Sequence, residues 1–248
     1  MPILVEVAVD SVVSAVAAQG GGAGRLELCA GLLEGGTTPS AGMIAACREQ
    51  VAIPVFVLIR PRSGDFLYDA AELAVMRRDI AVARDLGADG IVTGALRPDG
   101  TVDADHTNAL VDAARPLAVT FHRAFDFTRH PAEALEAVTA LGIDRVLTSG
   151  WAATAADGIA TLVELVGRAG ECPVLVAAGG LTEDNVARIV RVTGVREVHV
   201  GAAARRDSAM TYRRGKLSLA KPPVGEYARL EADQRHVQRL LEALEDEP

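Results

Sequence analysis

Short apolar runs alternate with amphipathic segments along most of the chain. Buried strands are predicted at residues 3–9, 25–29, 54–60, 89–93, 117–122, 145–149, 173–178 and 196–200. Between them, apolar positions recur with the period of a helix at residues 69–86, 104–115, 131–141, 154–169 and 182–192. Strands that alternate with helices are typical of βαβ units and a parallel sheet.

A weak internal repeat supports this order. A glycine comes shortly before or at the start of a strand in GAGRLEL (22–28), LGADGIVTG (86–94), LGIDRVLTSG (141–150) and TGVREVHVG (193–201). The later glycines lie 55 and 52 residues apart, two strand–helix units each, so one unit has about 27 residues. Eight such units predict an α/β fold, a single-domain (β/α)8 TIM barrel over residues 1–248. A doubly wound open sheet is the alternative.

The C-terminal part has a different pattern. Residues 202–223 are predicted to be irregular and are rich in basic side chains: Arg205, Arg206, Arg213, Arg214, Lys216 and Lys221. Because this segment follows the last strand, it is predicted to close as a flap over a bound anion. A solvated surface loop is the alternative. Residues 225–244 are predicted to form a final helix, with Val237, Leu240, Leu241 and Leu244 at helical spacing.

Composition excludes several classes of protein. Half of the 248 residues are hydrophobic and the net charge is −8, which disfavours nucleic acid as a partner. Three cysteines without a CxxC spacing exclude a disulfide framework and predict the reducing cytoplasm. We expect no membrane association, because no apolar run approaches the ~18 residues of a spanning helix. The first residues also lack the basic region of a signal peptide.

Strand alternation places charged residues inside the predicted barrel. Val5, Val7 and Val9 suit the face that packs on helices, so Glu6 points to the axis. By the same argument, or by its position at a strand end, each of the following is predicted at the interior or mouth: Glu6, Glu27, Cys29, Arg60, Arg62, His122, Arg123, Glu197 and His199. Most of them are near C-terminal strand ends, where barrel active sites are built. An ion-pair network that merely closes the barrel is the alternative.

The loop after the third strand, RPRSGDF (60–66), is predicted to bind an anion. Arg60 and Arg62 flank a proline, and Asp65 follows a glycine turn. Two guanidinium groups in this arrangement are suited to clamp a carboxylate or a phosphate. The alternative is a loop in which Arg62 and Asp65 pair with each other.

Three further loops carry candidate chemistry. FHRAFD (121–126) offers His122, Arg123 and Asp126, and the alternative is a capping network before Pro131 in which Asp126 is a turn residue. The glycines of the last two strand–helix loops could hold phosphate through backbone amides, or be ordinary turns: Gly179, Gly180 and Gly201.

These residues predict an enzyme that acts on a small anionic, phosphorylated or carboxylated substrate. His122 would be the general acid or base, Glu6 or Glu27 its counterpart, and Arg123 would stabilise negative charge. Lyase or isomerase chemistry fits better than hydrolysis, because the chain has no serine nucleophile elbow or cofactor fingerprint. Close-spaced metal motifs are absent from the sequence. Of the three cysteines, Cys29 is the one predicted to lie near His199 and His122 at the barrel mouth, where these side chains could bind a metal.

Several of these segments resemble the copper homeostasis protein CutC family over about residues 4–215. The segments are RLELCAGLLEGGTTPS, VLIRPRSGDFLY, GADGIVTG, VTFHRAFD and AAGGL. The resemblance implies a (β/α)8 barrel, a cytoplasmic role in copper homeostasis with copper as ligand, and a homo-oligomer. Residues matching the family pattern are Glu6, Glu27, Arg60, Arg62, Asp65, His122, Arg123, Asp126 and His199.

The chain departs from the resemblance at two places. Many relatives carry adjacent cysteines where this chain has Ala8 and Val9, so those thiols are not available for copper(I) here. Relatives often have serines where this chain has Val200 and Gly201, so a phosphate site there would depend on backbone amides. A copper-handling protein without catalysis, an acid–base enzyme, and a binding or assembly protein therefore remain as alternatives.

Overall fold

The computed structural model describes residues 2–201, 203–215, 217 and 225–245. Over most of its length, the chain alternates strands and helices. The elements are β1 Leu4–Val9, α1 Val12–Gly20, β2 Arg25–Leu28, α2 Ala41–Gln50, β3 Val55–Leu58, α3 Ala70–Asp85, β4 Gly90–Thr93, α4 Ala104–Ala114, β5 Ala118–Phe121, α5 Pro131–Ala140, β6 Arg145–Thr148, α6 Ile159–Ala169, β7 Val174–Ala178, α7 Val186–Thr193 and β8 Glu197–Val200. Among the described helices, none is long and apolar enough to cross a membrane.

The first eight strands form a closed parallel barrel. Each strand pairs with the next along the chain, and β8 returns to pair with β1 in the register Glu6↔His199. This confirms the predicted (β/α)8 fold and all eight strands, which are mostly one or two residues shorter than predicted. Closure also excludes the doubly wound open sheet, because such a sheet has two unpaired edges.

Polar side chains fix where several helices begin. Ser11, Ser40 and Asp103 each accept a hydrogen bond from a backbone N–H of the following turn. Asp69 and Glu72 form a reciprocal capping box at the start of α3. At the other end of α7, Gly194 adopts φ of 74°, a conformation that favours glycine. The capped helix starts therefore lie where the loops of the barrel mouth end, whereas Gly194 lies at the opposite face, before β8.

The apolar core has an outer layer between strands and helices and smaller clusters inside the barrel. Val5, Val7 and Val9 belong to the outer layer, as predicted. Phe56 and Leu58 of β3 belong to an inner cluster with Cys29. Sequence alternation left the direction of β3 open, because that strand is apolar on both faces. Phe56 and Leu58 face the axis. Because alternate residues of a strand share a face, Arg60, two residues after Leu58, also points to the axis and lies at the barrel mouth.

A charged layer fills the lower interior of the barrel. Arg25 donates to Glu6 and, at 2.6 Å, to Glu197. Arg145 also donates to Glu197, at 3.1 Å. Both guanidinium groups lie over the ring of Phe56, at 4.8 and 5.5 Å from its centroid. For Glu6 and Glu197, the ion-pair network anticipated as the alternative is therefore present.

The C-terminal predictions need correction. The segment predicted to be irregular contains β9 (Ala203–Asp207), which pairs antiparallel with β10 (Ala228–Ala232). The final helix, α8, spans Gln234–Glu245 and not 225–244, because residue 233 is an aspartate whose side chain accepts the N–H of His236. The basic residues Lys216 and Lys221 of the predicted flap lie outside the described residues.

Arg25→Met should lower the free energy of unfolding by about 3–5 kcal/mol, because Glu6 and Glu197 stay buried and lose the guanidinium that they share. Burial alone would raise the pKa of Glu6, but the hydrogen bond from His199 and the charge of Arg25 lower it to about 2. The stabilisation is thus complete above the unfolded pKa of about 4.5 and lost as the pH falls towards 2. Urea denaturation at pH 7 and at decreasing pH measures both effects.

Arg168→Met is the matched control. Arg168 pairs with Glu164 on the exposed face of α6, so its loss should change stability by no more than about 0.5 kcal/mol. Equal losses for the two variants at pH 7 would contradict a structural role for the interior charges.

Candidate functional site

The C-terminal ends of the strands enclose a cavity of about 420 Å³. Nine of the candidate residues line it: Glu27, Cys29, Arg60, His122, Arg123, Gly179, Gly180, His199 and Gly201. Four others do not, namely Glu6, Arg62, Asp65 and Asp126. The cavity therefore brings together groups from the ends of β2, β3, β5, β7 and β8.

Glu6, His199 and Glu27 form a chain of contacts from the charged layer to the cavity. Glu6 Oε1 lies 2.7 Å from His199 Nδ1, and His199 Nε2 lies 3.7 Å from Glu27 Oε2. Burial would lower the pKa of His199, but the charges of Glu27 and Glu6 and the hydrogen bond to Glu6 raise it. Glu6 thereby orients the ring and stabilises its protonated form.

Glu27 is the carboxylate of this site that resists ionisation. Burial, together with the nearby charge of Glu6, raises its pKa to about 7, against the opposing influence of His199 and Arg25. Arg25 is already engaged by Glu6 and Glu197, so Glu27 has no ion pair with a lysine or arginine among the described residues. Near neutral pH, Glu27 can therefore both release and accept a proton.

His122 carries an unpartnered donor in the same cavity. Its Nδ1 accepts the backbone N–H of Ala124 at 3.2 Å, which assigns the proton of the neutral ring to Nε2. Nε2 is buried and has no partner among the described residues. Burial and the charge of Arg60 lower the pKa of His122 to about 3. A ring with this pKa is neutral at pH 7, so His122 is suited to donate a hydrogen bond from Nε2.

Arg60 is a buried cation held by neutral groups. Its terminal nitrogens donate to the carbonyls of Glu34, Gly36 and Gly64 at 2.7–3.2 Å. The guanidinium also lies 5.0 Å from the centroid of the Phe66 ring. Its Nε has no partner, and Arg60 forms no ion pair with the described residues. A buried cation without a counter-ion favours an anionic ligand.

Arg62 does not share this site, so the predicted two-arginine clamp is wrong as a geometry. Its guanidinium pairs with Asp65 at 3.1 Å and with Glu72 at 2.5 Å. The anticipated alternative, a pair between Arg62 and Asp65, is thus present. The chain turns away from the axis after Arg60, which is why Arg62 and Asp65 face the outer surface of the loop.

Asp126 organises the loops beside the cavity. It accepts the backbone N–H groups of Ser149 and Trp151 and the hydroxyl of Thr148. It also binds Arg123 Nε at 2.8 Å. Asp126 therefore does not cap the helix at Pro131, which was the anticipated alternative, but joins the loops after β5 and β6 and holds the Arg123 guanidinium at the cavity wall.

Gly179 leaves room for that guanidinium. Its φ of 93° favours glycine, and a Cβ there would lie 3.2 Å from Arg123 Nη1. The close approach requires this residue type, which the sequence indicated only as part of a glycine-rich loop.

The sequence analysis missed two contributors. Phe66 lines the cavity and contacts both His122 and Arg60. Arg145 completes the charged layer through Glu197. The sequence gives an indication of Phe66, because it is a rare aromatic in a chain with 4% aromatics and it lies at the end of the arginine-containing loop.

The described residues do not form a soft-sulfur site in the cavity. Cys29 is buried, its Sγ lies 3.5 Å from the carbonyl of Val9, and burial raises the pKa of its thiol. Cys47 contacts Met43 at 3.9 Å within α2, and Cys172 contacts the carbonyl of Ile143. Ligand atoms of Glu6, Glu27 and His199 do lie within 4.8 Å of one another. Two carboxylates and one imidazole are not the donors that copper(I) prefers, so this cluster does not fit copper(I).

Relatives resemble the chain over most of its length. It is 50% identical over 216 residues to a mouse (Mus musculus) protein named copper homeostasis protein cutC homolog, covering 87% of this chain and 79% of that protein. A family protein CutC of Chromobacterium violaceum is 45% identical over 245 residues, 99% of each chain.

Solved structures point to the same family and to the same fold. The crystal structure of the putative copper homeostasis protein CutC from Streptococcus agalactiae superposes with a TM-score of 0.76 at 32% identity, covering 79% of this chain and 97% of that chain. Thiamine phosphate pyrophosphorylase from Pyrococcus furiosus, at 18% identity and a TM-score of 0.60 over 98% and 96% of the chains, shares the fold alone. A sequence model of the CutC family matches residues 3–204. The chain therefore belongs to the CutC family.

Proposed function

We propose that this protein is an acid–base enzyme, of the lyase or isomerase type, for a small substrate that carries a carboxylate or a phosphate. One observation carries the proposal: the buried, unpartnered donors Arg60 Nε and His122 Nε2 belong to residues that line one cavity with Glu27. Orphaned buried donors cost free energy unless a ligand satisfies them. Beside Glu27, they supply an anion site next to a proton-transfer group.

Arg60 is the principal anion-binding residue of the proposed site. Its charge is buried, and among the described residues the polar groups beside it are backbone carbonyls and the Tyr68 hydroxyl, so an incoming oxyanion does not have to displace a carboxylate. Arg123 contributes a second, partly exposed guanidinium beside Gly179. The two cations favour a substrate of negative charge in a protein that is acidic as a whole.

Glu27 is the proposed base. Its carboxylate takes a proton from a carbon next to a carbonyl, and the C–H electron pair moves into the carbonyl to form an enolate. His122 Nε2–H donates to the enolate oxygen, which needs a neutral donor that does not itself lose a proton. If the carbon that loses the proton carries a hydroxyl, transfer of the hydroxyl proton to the enolate oxygen and return of the abstracted proton to the former carbonyl carbon complete an isomerisation. If the carbon on the other side of it carries a leaving group, the enolate pair forms a C=C bond as the carbonyl is restored, the group departs with its own bonding pair, and an elimination is complete.

Glu27→Gln should abolish proton abstraction. We expect wild-type protein, incubated in D₂O with a library of small phosphorylated and carboxylated metabolites, to convert one of them or to introduce deuterium into it. The variant should be slower by about 10²–10⁴-fold. Because the base is the ionised form and the pKa of Glu27 is raised to about 7, the wild-type rate should increase as the pH rises through 7. Mass spectrometry measures both results.

Glu34→Gln is the matched control, because Glu34 is an exposed carboxylate of the same loop region and its side chain does not line the cavity. It should exchange deuterium at the wild-type rate. Equal exchange by Glu27→Gln and wild type, or no exchange and no conversion across the library, would contradict the proposal.

Arg60→Met and Arg62→Met test the anion site as a matched pair. Inorganic phosphate should bind wild type and Arg62→Met alike, and Arg60→Met about 10- to 100-fold more weakly, since a charge-assisted hydrogen bond contributes about 1.5–3 kcal/mol. Isothermal titration calorimetry gives the affinities, and circular dichroism checks that each variant is folded. A loss in Arg62→Met as large as in Arg60→Met would count against the assignment.

Copper(I) handling through Cys29 is the second candidate, which the names of the relatives favour. The environment of Cys29 opposes it, because burial and the nearby carboxylates disfavour the thiolate that binds copper(I). Titration against a chromophoric copper(I) chelator should therefore give the same binding for wild type and Cys29→Ser. Tight stoichiometric binding that Cys29→Ser removes would support copper handling instead.

A further inference from the structure

A second cavity opens beside the first, at the rim of the barrel. It also has a volume of about 420 Å³, and it is lined by residues 64–67, 96–98, 100 and 127. Its apolar wall is formed by Phe66, Leu67 and Phe127, which we call the rim shelf. The side chains of the rim shelf are unusually open to solvent for their type, with Phe127 67% exposed and Leu67 42% exposed.

The rim shelf borders the proposed anion site. Phe66 lines both cavities. Its ring centroid lies 4.8 Å from that of His122 and 5.5 Å from that of Phe127. A molecule that reaches Arg60 and His122 with its anionic end would therefore have its next atoms against Phe66 and then Phe127.

The exposed ring of Phe127 is presented by an ordered turn. Asp126 accepts the N–H of Trp151 at 3.2 Å, and the Trp151 indole donates to the carbonyl of Thr128 at 2.7 Å. Thr128 itself donates to Phe125 at 2.8 Å. Trp151 adopts φ of 62°, which is strained for a residue with a side chain. Strained backbone held by surrounding hydrogen bonds is typical of functional loops.

We propose that the substrate of this site carries a planar apolar group, such as an aromatic ring, next to its anionic group, and that this ring packs on the rim shelf. The inference rests on the proposed function and adds the substrate class. A small molecule is the occupant to which we commit, because the surface is concave, has the volume of a ligand pocket and shares the Phe66 ring with the cavity of the anion site. Rings packed on Phe66 and Phe127 gain from burial and from edge or offset stacking.

Methyl phosphate and phenyl phosphate are the probes, since they differ only in the group that would reach the rim shelf. By calorimetry, wild type should bind phenyl phosphate about tenfold more tightly than methyl phosphate. Phe127→Ala should reduce that preference by about three- to tenfold, with the affinity for methyl phosphate unchanged. Val163→Ala removes an apolar group of α6, 43% exposed and outside both cavities, and should retain the full preference.

Three results would overturn the inference. The first is equal affinity of wild type for the two phosphates, and the second is a preference that Phe127→Ala does not change. The third is a homo-oligomer that Phe127→Ala converts to a monomer in light scattering, which would make the rim shelf an interface between copies of the chain.

Failure of the proposed anion site can be told apart from failure of the rim shelf. If neither phosphate binds, the proposed function loses its support, and binding to the rim shelf is then measured with benzyl alcohol, which is neutral. A saturation-transfer NMR signal from its ring that Phe127→Ala removes supports the rim shelf, and no signal with wild type overturns it.

Discussion

The burial of charge inside a closed barrel determines the rest of this structure. Each strand directs alternate side chains to the axis, where the closed sheet surrounds them and separates them from water. Arg25 neutralises Glu6 and Glu197 in the lower layer. Among the described residues, Glu27 above this layer then has no arginine or lysine partner, and Arg60 across the cavity has no carboxylate partner. The same constraint thus gives a layer of paired charges inside the barrel and unpaired charges at its mouth.

The two halves of the mouth differ in their chemistry. On the side of β1, β2 and β8, His199 and Glu27 lie 3.7 Å apart and both of their pKa values are raised. On the side of β3 and β5, Arg60 and His122 have buried donors without a partner among the described residues. The groups proposed for proton transfer and those proposed for anion binding therefore lie on different sides of the cavity, where one substrate could contact both.

The sequence predicted the barrel and much of its interior, because strand alternation and glycine spacing are local patterns. Glu27 and His199 follow directly from the two-residue period. Arg62 was misassigned because that period ends with the strand, and the path of a loop depends on tertiary contacts such as the pair with Glu72. The pKa of His122 depends on burial and on Arg60 from another strand, so no local pattern could indicate it. In the C-terminal part, the helical spacing at 237–244 led to a helix that was predicted to begin too early. The strand β10, which precedes Asp233, could not be predicted locally, because it pairs with residues 203–207.

The most direct measurement of the central claim is the titration of the Glu27 carboxyl by ¹³C NMR in uniformly labelled protein. Glu27→Gln assigns the resonance. A midpoint near 7 for Glu27, well above the ordinary 4.5 of a glutamate, is the result expected from its burial beside Glu6. A midpoint near the ordinary 4.5 would contradict it, because Glu27 would then be fully ionised at neutral pH and the mouth of the barrel would hold an ordinary ion pair with His199.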